Sequence, residues 1–256
     1  MLGAIIGDIV GSVYEWNNIK TTDFPFFQTK CFFTDDSVLT VATAKTLMSG
    51  GGYAETYQDF ARRYPGRGYG GNFNGWIYEE HPRPYNSWGN GSAMRVSPVG
   101  FALGDVDEVL EEARRSAAVT HNHPEGIKGA QATALAVLFA RRGLPQAEIR
   151  AEIVGRFDYD LNRTLDQIRP GYTFDVSCQG SVPEAIIAFL ESTDYEDAVR
   201  KAISIGGDSD TIACITGGIA EAYYGVPEEI AGQAYTFLPE EFIGVIEGFY
   251  EWCDGE

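Results

Sequence analysis

Basic residues are scarce: 19 Lys plus Arg stand against 37 Asp plus Glu in 256 residues, a formal charge of -18. Such a chain offers no cationic face to neutralise nucleic-acid phosphates, and an anionic bilayer repels it. Long hydrophobic runs are missing as well. Apolar stretches such as Ala130–Ala140 end well short of the roughly 20 residues that span a bilayer. The apolar N-terminus MLGAIIGDIVGSVYEW carries Asp8 and Glu15 with no basic flank, so it does not read as a signal peptide. Cysteine is sparse and scattered. Cys31, Cys178, Cys214 and Cys253 form no CxxC pair, which disfavours zinc and points to reduced, buried thiols in a cytoplasmic protein. Internal repeats, low-complexity tracts and linkers are absent too, and only Tyr172–Cys178 alternates, briefly, as a strand would.

What is present is helical period. With 44% apolar and 22% charged residues the chain can bury a proper core. Thr34 caps DDSVLTVATAKTLM, and Gly50–Gly52 stop it. Asp105–Val119 reads as an amphipathic surface helix, and Gly126–Arg142, apolar nearly all round, as a central one. Ser181-Val-Pro-Glu184 has the form of a capping box opening AIIAFLES. Asp194–Ile205, Ser209–Tyr224 and Pro239–Trp252 complete an all-α chain, predicted to be one domain over residues 1–256. The long irregular region is Pro65–Ser92, where glycines interleave with Tyr69, Phe73, Trp76, Tyr78, Tyr85 and Trp88. Loops of that length are commonly functional; one that moves and stacks on a planar ligand and one pinned by its own aromatics both fit.

Two acidic clusters stand out. Thr34-Asp35-Asp36 and Asp208-Ser209-Asp210-Thr211, the latter after Gly206-Gly207, each open a predicted helix with an apolar body. Asp and Thr are favoured caps and complement the helix dipole, so either cluster alone needs no further role. Capping uses one oxygen per helix, however, and together these clusters carry four carboxylates and two threonine hydroxyls. If they converge, the charges repel unless a cation lies between them. An all-oxygen set suits magnesium or manganese, not zinc.

Three further segments carry candidates. In Gly7-Asp8-Ile9-Val10-Gly11 the glycines four apart predict close helix packing, which leaves Glu15 unexplained except as a general base or metal-linked carboxylate. Gly89-Asn90-Gly91-Ser92-Ala93-Met94-Arg95 exposes backbone N–H groups able to cradle a pyrophosphate, although GNGS alone is only a turn signal. Thr120-His121-Asn122-His123-Pro124-Glu125 looks superficially like a nuclease or His-pair metal tag, without the basic face a nuclease needs. His121 fits better as a ligand-orienting donor and His123 as a cap.

Taken in order, GDxxGxxxE, TDDS, GNGSAMR, THNHPEG and IGGDSDTIACITGGIAEAYYG resemble the ADP-ribosylglycohydrolase family from Leu2 to about Pro227. The resemblance implies a single-domain helical bundle and two magnesium ions, with manganese an alternative, held by Thr34, Asp35, Asp36, Asp208, Asp210 and Thr211. It implies ADP-ribose with its distal ribose at the metals and its phosphates on Asn90, Gly91, Ser92, Ala93, Met94 and Arg95. His121 matches a further contact, and Val176 lies near the adenosine end. Glu15 matches a mobile glutamate, so Glu15 and Asp36 are the catalytic candidates. The implied reaction is metal-dependent cleavage of the N- or O-glycosidic bond between ADP-ribose and a modified protein, nucleobase or small molecule, by a cytoplasmic monomer. A catalytically silent ADP-ribose-binding or structural relative of the family is the alternative, and a metal-dependent phosphohydrolase a third. The chain departs from the family in the Pro65–Ser92 loop and in THNHPEG, where such proteins set substrate choice.

Overall fold

The structure, a computed structural model, describes residues 1–255. Among them are fifteen helices and no strand; Gly89 and Ser177 form an isolated bridge. The first six helices are α1 (Leu2–Gly11), α2 (Asp35–Ser49), α3 (Tyr53–Arg63), α4 (Gly71–Trp76), α5 (Gly91–Met94) and α6 (Ser97–Ala102). Next come α7 (Val106–Ala118), α8 (Pro124–Arg141), α9 (Gln146–Phe157), α10 (Leu165–Ile168) and α11 (Cys178–Leu190). The chain ends with α12 (Tyr195–Ile203), α13 (Ser209–Tyr224), α14 (Glu228–Tyr235) and α15 (Glu240–Asp254). The all-α expectation holds, and none of these helices is long and apolar enough to cross a membrane.

Most boundaries follow local chemistry. Thr34 accepts from Asp36 N–H and opens α2, which Gly50 closes at φ 66°. Asp105 caps α7 through Asp107 and Glu108 N–H, and the His123 ring accepts from Glu125 N–H at the start of α8. Buried residues of α1, α2, α8, α11 and α13 share one contiguous core.

Two expectations need correction. The Ser181–Glu184 capping box is not where α11 begins: Ser177 is the cap, accepting from Gly180 N–H at 3.1 Å, and the helix runs on through Pro183. Proline usually marks a first turn; here it lies one turn further in, because the earlier start buries Cys178 and Ser181 completely. The Pro65–Ser92 region is also less irregular than its composition implies, since α4 lies inside it. Tyr69, Phe73 and Trp76 are buried and stack in series at 5.6 and 5.3 Å, so these aromatics pin the loop, while Tyr78 and Trp88 stay exposed.

Candidate active site

The site depends on how closely α1 meets α13. A Cβ at Gly7 would lie 2.0 Å from the Ala213 carbonyl oxygen, and one at Gly11 would lie 2.4 Å from Asp210 Cα. Only glycine permits that approach. It brings Asp8 and the turn carrying Glu15 against the first turn of α13, while the α2 N-terminus docks on Asp8. The buried Asp8 carboxylate accepts from Thr34 N–H (2.9 Å), Thr34 Oγ1 (2.6 Å), Ser37 N–H (3.1 Å) and Ser37 Oγ. The two acidic clusters, about 175 residues apart in sequence, therefore converge: Thr211 Oγ1 donates to Asp36 Oδ2 at 3.3 Å.

Carboxylate oxygens of Asp8, Asp36 and Asp210 lie within 4.8 Å of one another, and so do those of Glu15, Asp208 and Asp210. Oδ1 of Asp36 and Oδ1 of Asp210 are buried without a hydrogen-bond partner in the protein. Burial, then mutual charge, drives Asp35, Asp36 and Asp210 well above the ordinary carboxylate range. Burial outweighs four hydrogen bonds at Asp8, pushed to about 6, and burial plus the Asp208 charge push Glu15 to about 7. Orphaned buried oxygens in two groups sharing Asp210 are a donor set that could hold hard divalent cations.

This acidic end closes one side of a cavity of about 350 Å³. The cavity wall also carries a cation. Arg95 is fully buried; its Nη2 donates to Ser116 O (2.9 Å) and Thr120 Oγ1 (2.8 Å), and its guanidinium lies 4.3 Å from the Tyr57 ring centroid. Its Nε and Nη1 have no partner, and no carboxylate pairs with it among the described residues. Burial and the Arg95 charge hold the His121 pKa well below the usual histidine value, so the ring is neutral near pH 7. A Cβ at Gly91 would lie 3.2 Å from His121 Nε2, so glycine leaves that nitrogen uncovered. A cavity lined by both a carboxylate cluster and a buried guanidinium suits a ligand with an anionic part and a hydroxyl-rich part that a cation can grip.

A family model for ADP-ribosylglycohydrolases matches residues 1–250. The chain belongs to the ADP-ribosylglycohydrolase family. It is 28% identical over 331 aligned positions to ADP-ribosylhydrolase ARH3 of Mus musculus, covering 98% of this chain and 87% of the relative. It is 26% identical to the ADP-ribosylarginine hydrolase Tri1 of Pseudomonas putida (strain GB-1), over 88% of this chain and 70% of that one. A solved structure titled "ADP-ribosylglycohydrolase-related protein complex" superposes with a TM-score of 0.73 at 25% identity, covering 98% of this chain and 97% of the other.

Within this ADP-ribosylglycohydrolase fold, Glu15, Thr34, Asp35, Asp36, Asp208, Asp210, Thr211, Asn90, Gly91, Met94, Arg95, His121 and Val176 all line the cavity. Ser92 and Ala93 are not wall residues. Ser92 is fully buried and donates to Gly126 O at 2.7 Å, which ties the GNGSAMR turn to α8. Asn90 spends its side chain on the protein: Nδ2 donates to Asp208 Oδ2 (2.6 Å) and Ser181 Oγ (3.0 Å). Asp35, though in the cavity wall, belongs to neither close carboxylate group.

Sequence reasoning missed Asp8 and Phe174 as cluster and wall residues, and named Phe73 only as one of several loop aromatics. Asp8 had a usable signal, a lone charge on an otherwise apolar helix. Phe174 had none beyond its place in an irregular segment.

Proposed function

We propose that this chain is a metal-dependent hydrolase that cleaves the N- or O-glycosidic bond between ADP-ribose and a modified acceptor, releasing ADP-ribose. The observation that carries the reading is one cavity lined both by converged carboxylates with orphaned oxygens and by Arg95, whose guanidinium has no carboxylate partner among the described residues. Names of relatives that are ADP-ribosylhydrolases support it. On this reading residues 1–256 act as one domain, in a cytoplasmic monomer, on an ADP-ribosylated protein, nucleobase or small molecule.

Thr34, Asp35, Asp36, Asp208, Asp210 and Thr211 would hold two divalent cations, magnesium or manganese, with Asp8 buttressing Thr34. Such cations, when bound, polarise sugar hydroxyls and lower the pKa of water. The chain itself orients the substrate. His121 Nε2 and the exposed N–H groups around Gly91 face the pyrophosphate, and the Arg95 charge behind them offsets its negative charge. The distal ribose is then directed to the acidic end. Glu15, pushed to about 7 by burial and the Asp208 charge, takes a proton from the water that attacks the anomeric carbon and returns it to the acceptor nitrogen or oxygen as its bond to that carbon breaks. Scission passes through an oxocarbenium-like state, whose positive charge the Asp36 and Asp210 carboxylates stabilise.

Product analysis tests this. With magnesium, mass spectrometry on arginine-, serine- and guanine-linked ADP-ribose should detect intact ADP-ribose from at least one substrate. AMP or phosphate instead would mark a phosphohydrolase, and binding without any product would mark a silent relative; either result overturns the proposal.

A further inference from the structure

Glu15 lies in the turn after α1, outside any helix, so the helical scaffold does not by itself fix its carboxylate. Asn18 supplies what the scaffold does not. Its Nδ2 donates to the carbonyls of Tyr14 (2.8 Å), Glu15 (2.8 Å) and Gly207 (2.9 Å), two protons shared among three acceptors. Its Oδ1 accepts from Gly207 N–H at 2.7 Å. One carboxamide thus pairs with both backbone groups of Gly207, as a neighbouring strand would, while it clasps the Glu15 turn from the other side.

The partner turn is shaped for this pairing. Gly206 and Gly207 have φ of 75° and 71°, where L side chains are disfavoured, and a Cβ at Gly207 would lie 2.5 Å from the Tyr172 ring. The residue that follows is Asp208. Two more ties hold residues 16–20, one of them to Ile205 just before that turn and both to residues 172–174. Lys20 Nζ donates to Ile205 O (2.5 Å) and Tyr172 O (2.8 Å), and the Trp16 ring stacks on Phe174 with centroids 5.2 Å apart. Trp16 and Asn18 are both exposed, so neither is there to fill the core. Neighbouring Asn17 makes only a 3.4 Å contact to Val13 O and no tie across the cleft.

We infer that Asn18 is a positioning residue, locking the Glu15 turn to the Asp208 turn so that the Glu15 carboxylate stays within reach of Asp208 and Asp210. The inference rests on the hydrolase reading above, with Glu15 as its base. Loss of the carboxamide removes no metal ligand and no phosphate contact but unties the Glu15 turn from the Asp208 turn, and misplacement of a reacting group by about 1 Å costs on the order of 100-fold in rate.

Asn18→Ala should lower kcat about 10- to 100-fold with KM within about threefold of the parent; Asn17→Ala should match the parent. Asn18→Asp keeps the acceptor for Gly207 N–H but loses all three donations, and should fall in the same direction if the alanine variant folds poorly. A second readout needs no turnover. With the four tryptophans replaced by 5-fluorotryptophan, the Trp16 fluorine resonance, assigned through Trp16→Phe, should shift or broaden in Asn18→Ala and not in Asn17→Ala. An unchanged Trp16 resonance, or a kcat loss matched by an equal rise in KM, overturns the positioning role. If the parent releases no ADP-ribose from any substrate, the fluorine spectrum alone decides whether Asn18 holds the turn.

Discussion

Glu15 shows what a single residue owes to its surroundings. Its carboxylate is half-buried, faces Asp208 and Asp210, and is pushed to about 7. Glu15→Gln keeps the shape and removes the proton acceptor. ADP-ribose affinity and melting temperature should change little, whereas turnover should fall by about 100- to 10,000-fold in single-turnover kinetics. Parent-like turnover would take Glu15 out of the chemistry. Glu15 was legible in the sequence because it is an acid that glycine packing cannot explain. Asp8 was half legible: its charge on an apolar helix was visible, but its four hydrogen bonds come from α2, which sequence spacing does not bring near. Asn18 was illegible, because its only partners are backbone groups, two of them on Gly207.

At the scale of elements, the helices that could be read were those whose caps and periods agree. The α2, α7 and α13 boundaries fall within a residue of expectation because one residue at each start is the obvious cap or the only break in the pattern. The start of α11 was misread because Ser177 and Ser181 are both competent caps, and burial of Cys178 selects between them. The α1–α13 contact was readable as glycines four apart, but its partner was not, since an apolar face does not name what it packs against. That contact makes a direct prediction. Gly7→Ala must push α1 off the Ala213 carbonyl, and overpacking of this kind costs about 1–3 kcal/mol or more in urea denaturation, with a loss of activity as Asp8 and Glu15 move. Gly155→Ala on α9, where a Cβ meets nothing within 4 Å, should instead stabilise by about 0.5–1 kcal/mol. Equal effects from the two substitutions would mean that the close approach is not a constraint.

The whole molecule is arranged around a charge it does not itself neutralise. Asp36 and Asp210 each leave a buried oxygen unpartnered, and Arg95 is buried in the same cavity wall with no carboxylate paired to it among the described residues. Burying such groups destabilises a fold unless a ligand compensates, so the carboxylates and Arg95 alike bear a cost in stability that binding removes. The aspartate clusters were visible in the sequence as sequences; their convergence was not, because it depends on α1 lying between them. The most direct test is the melting temperature of metal-free protein titrated with magnesium and with manganese. Binding to the folded state alone stabilises by about 2.7 kcal/mol at a hundredfold excess over the dissociation constant, so the melt should rise with either ion and return with chelator. Asp36→Asn and Asp210→Asn should blunt that rise while leaving the metal-free melt no lower, since each removes one of the repelling charges. If the aspartates are only helix caps, asparagine caps as well and the ions do nothing: a melt unmoved by millimolar magnesium and manganese, in parent and variants alike, would contradict the account.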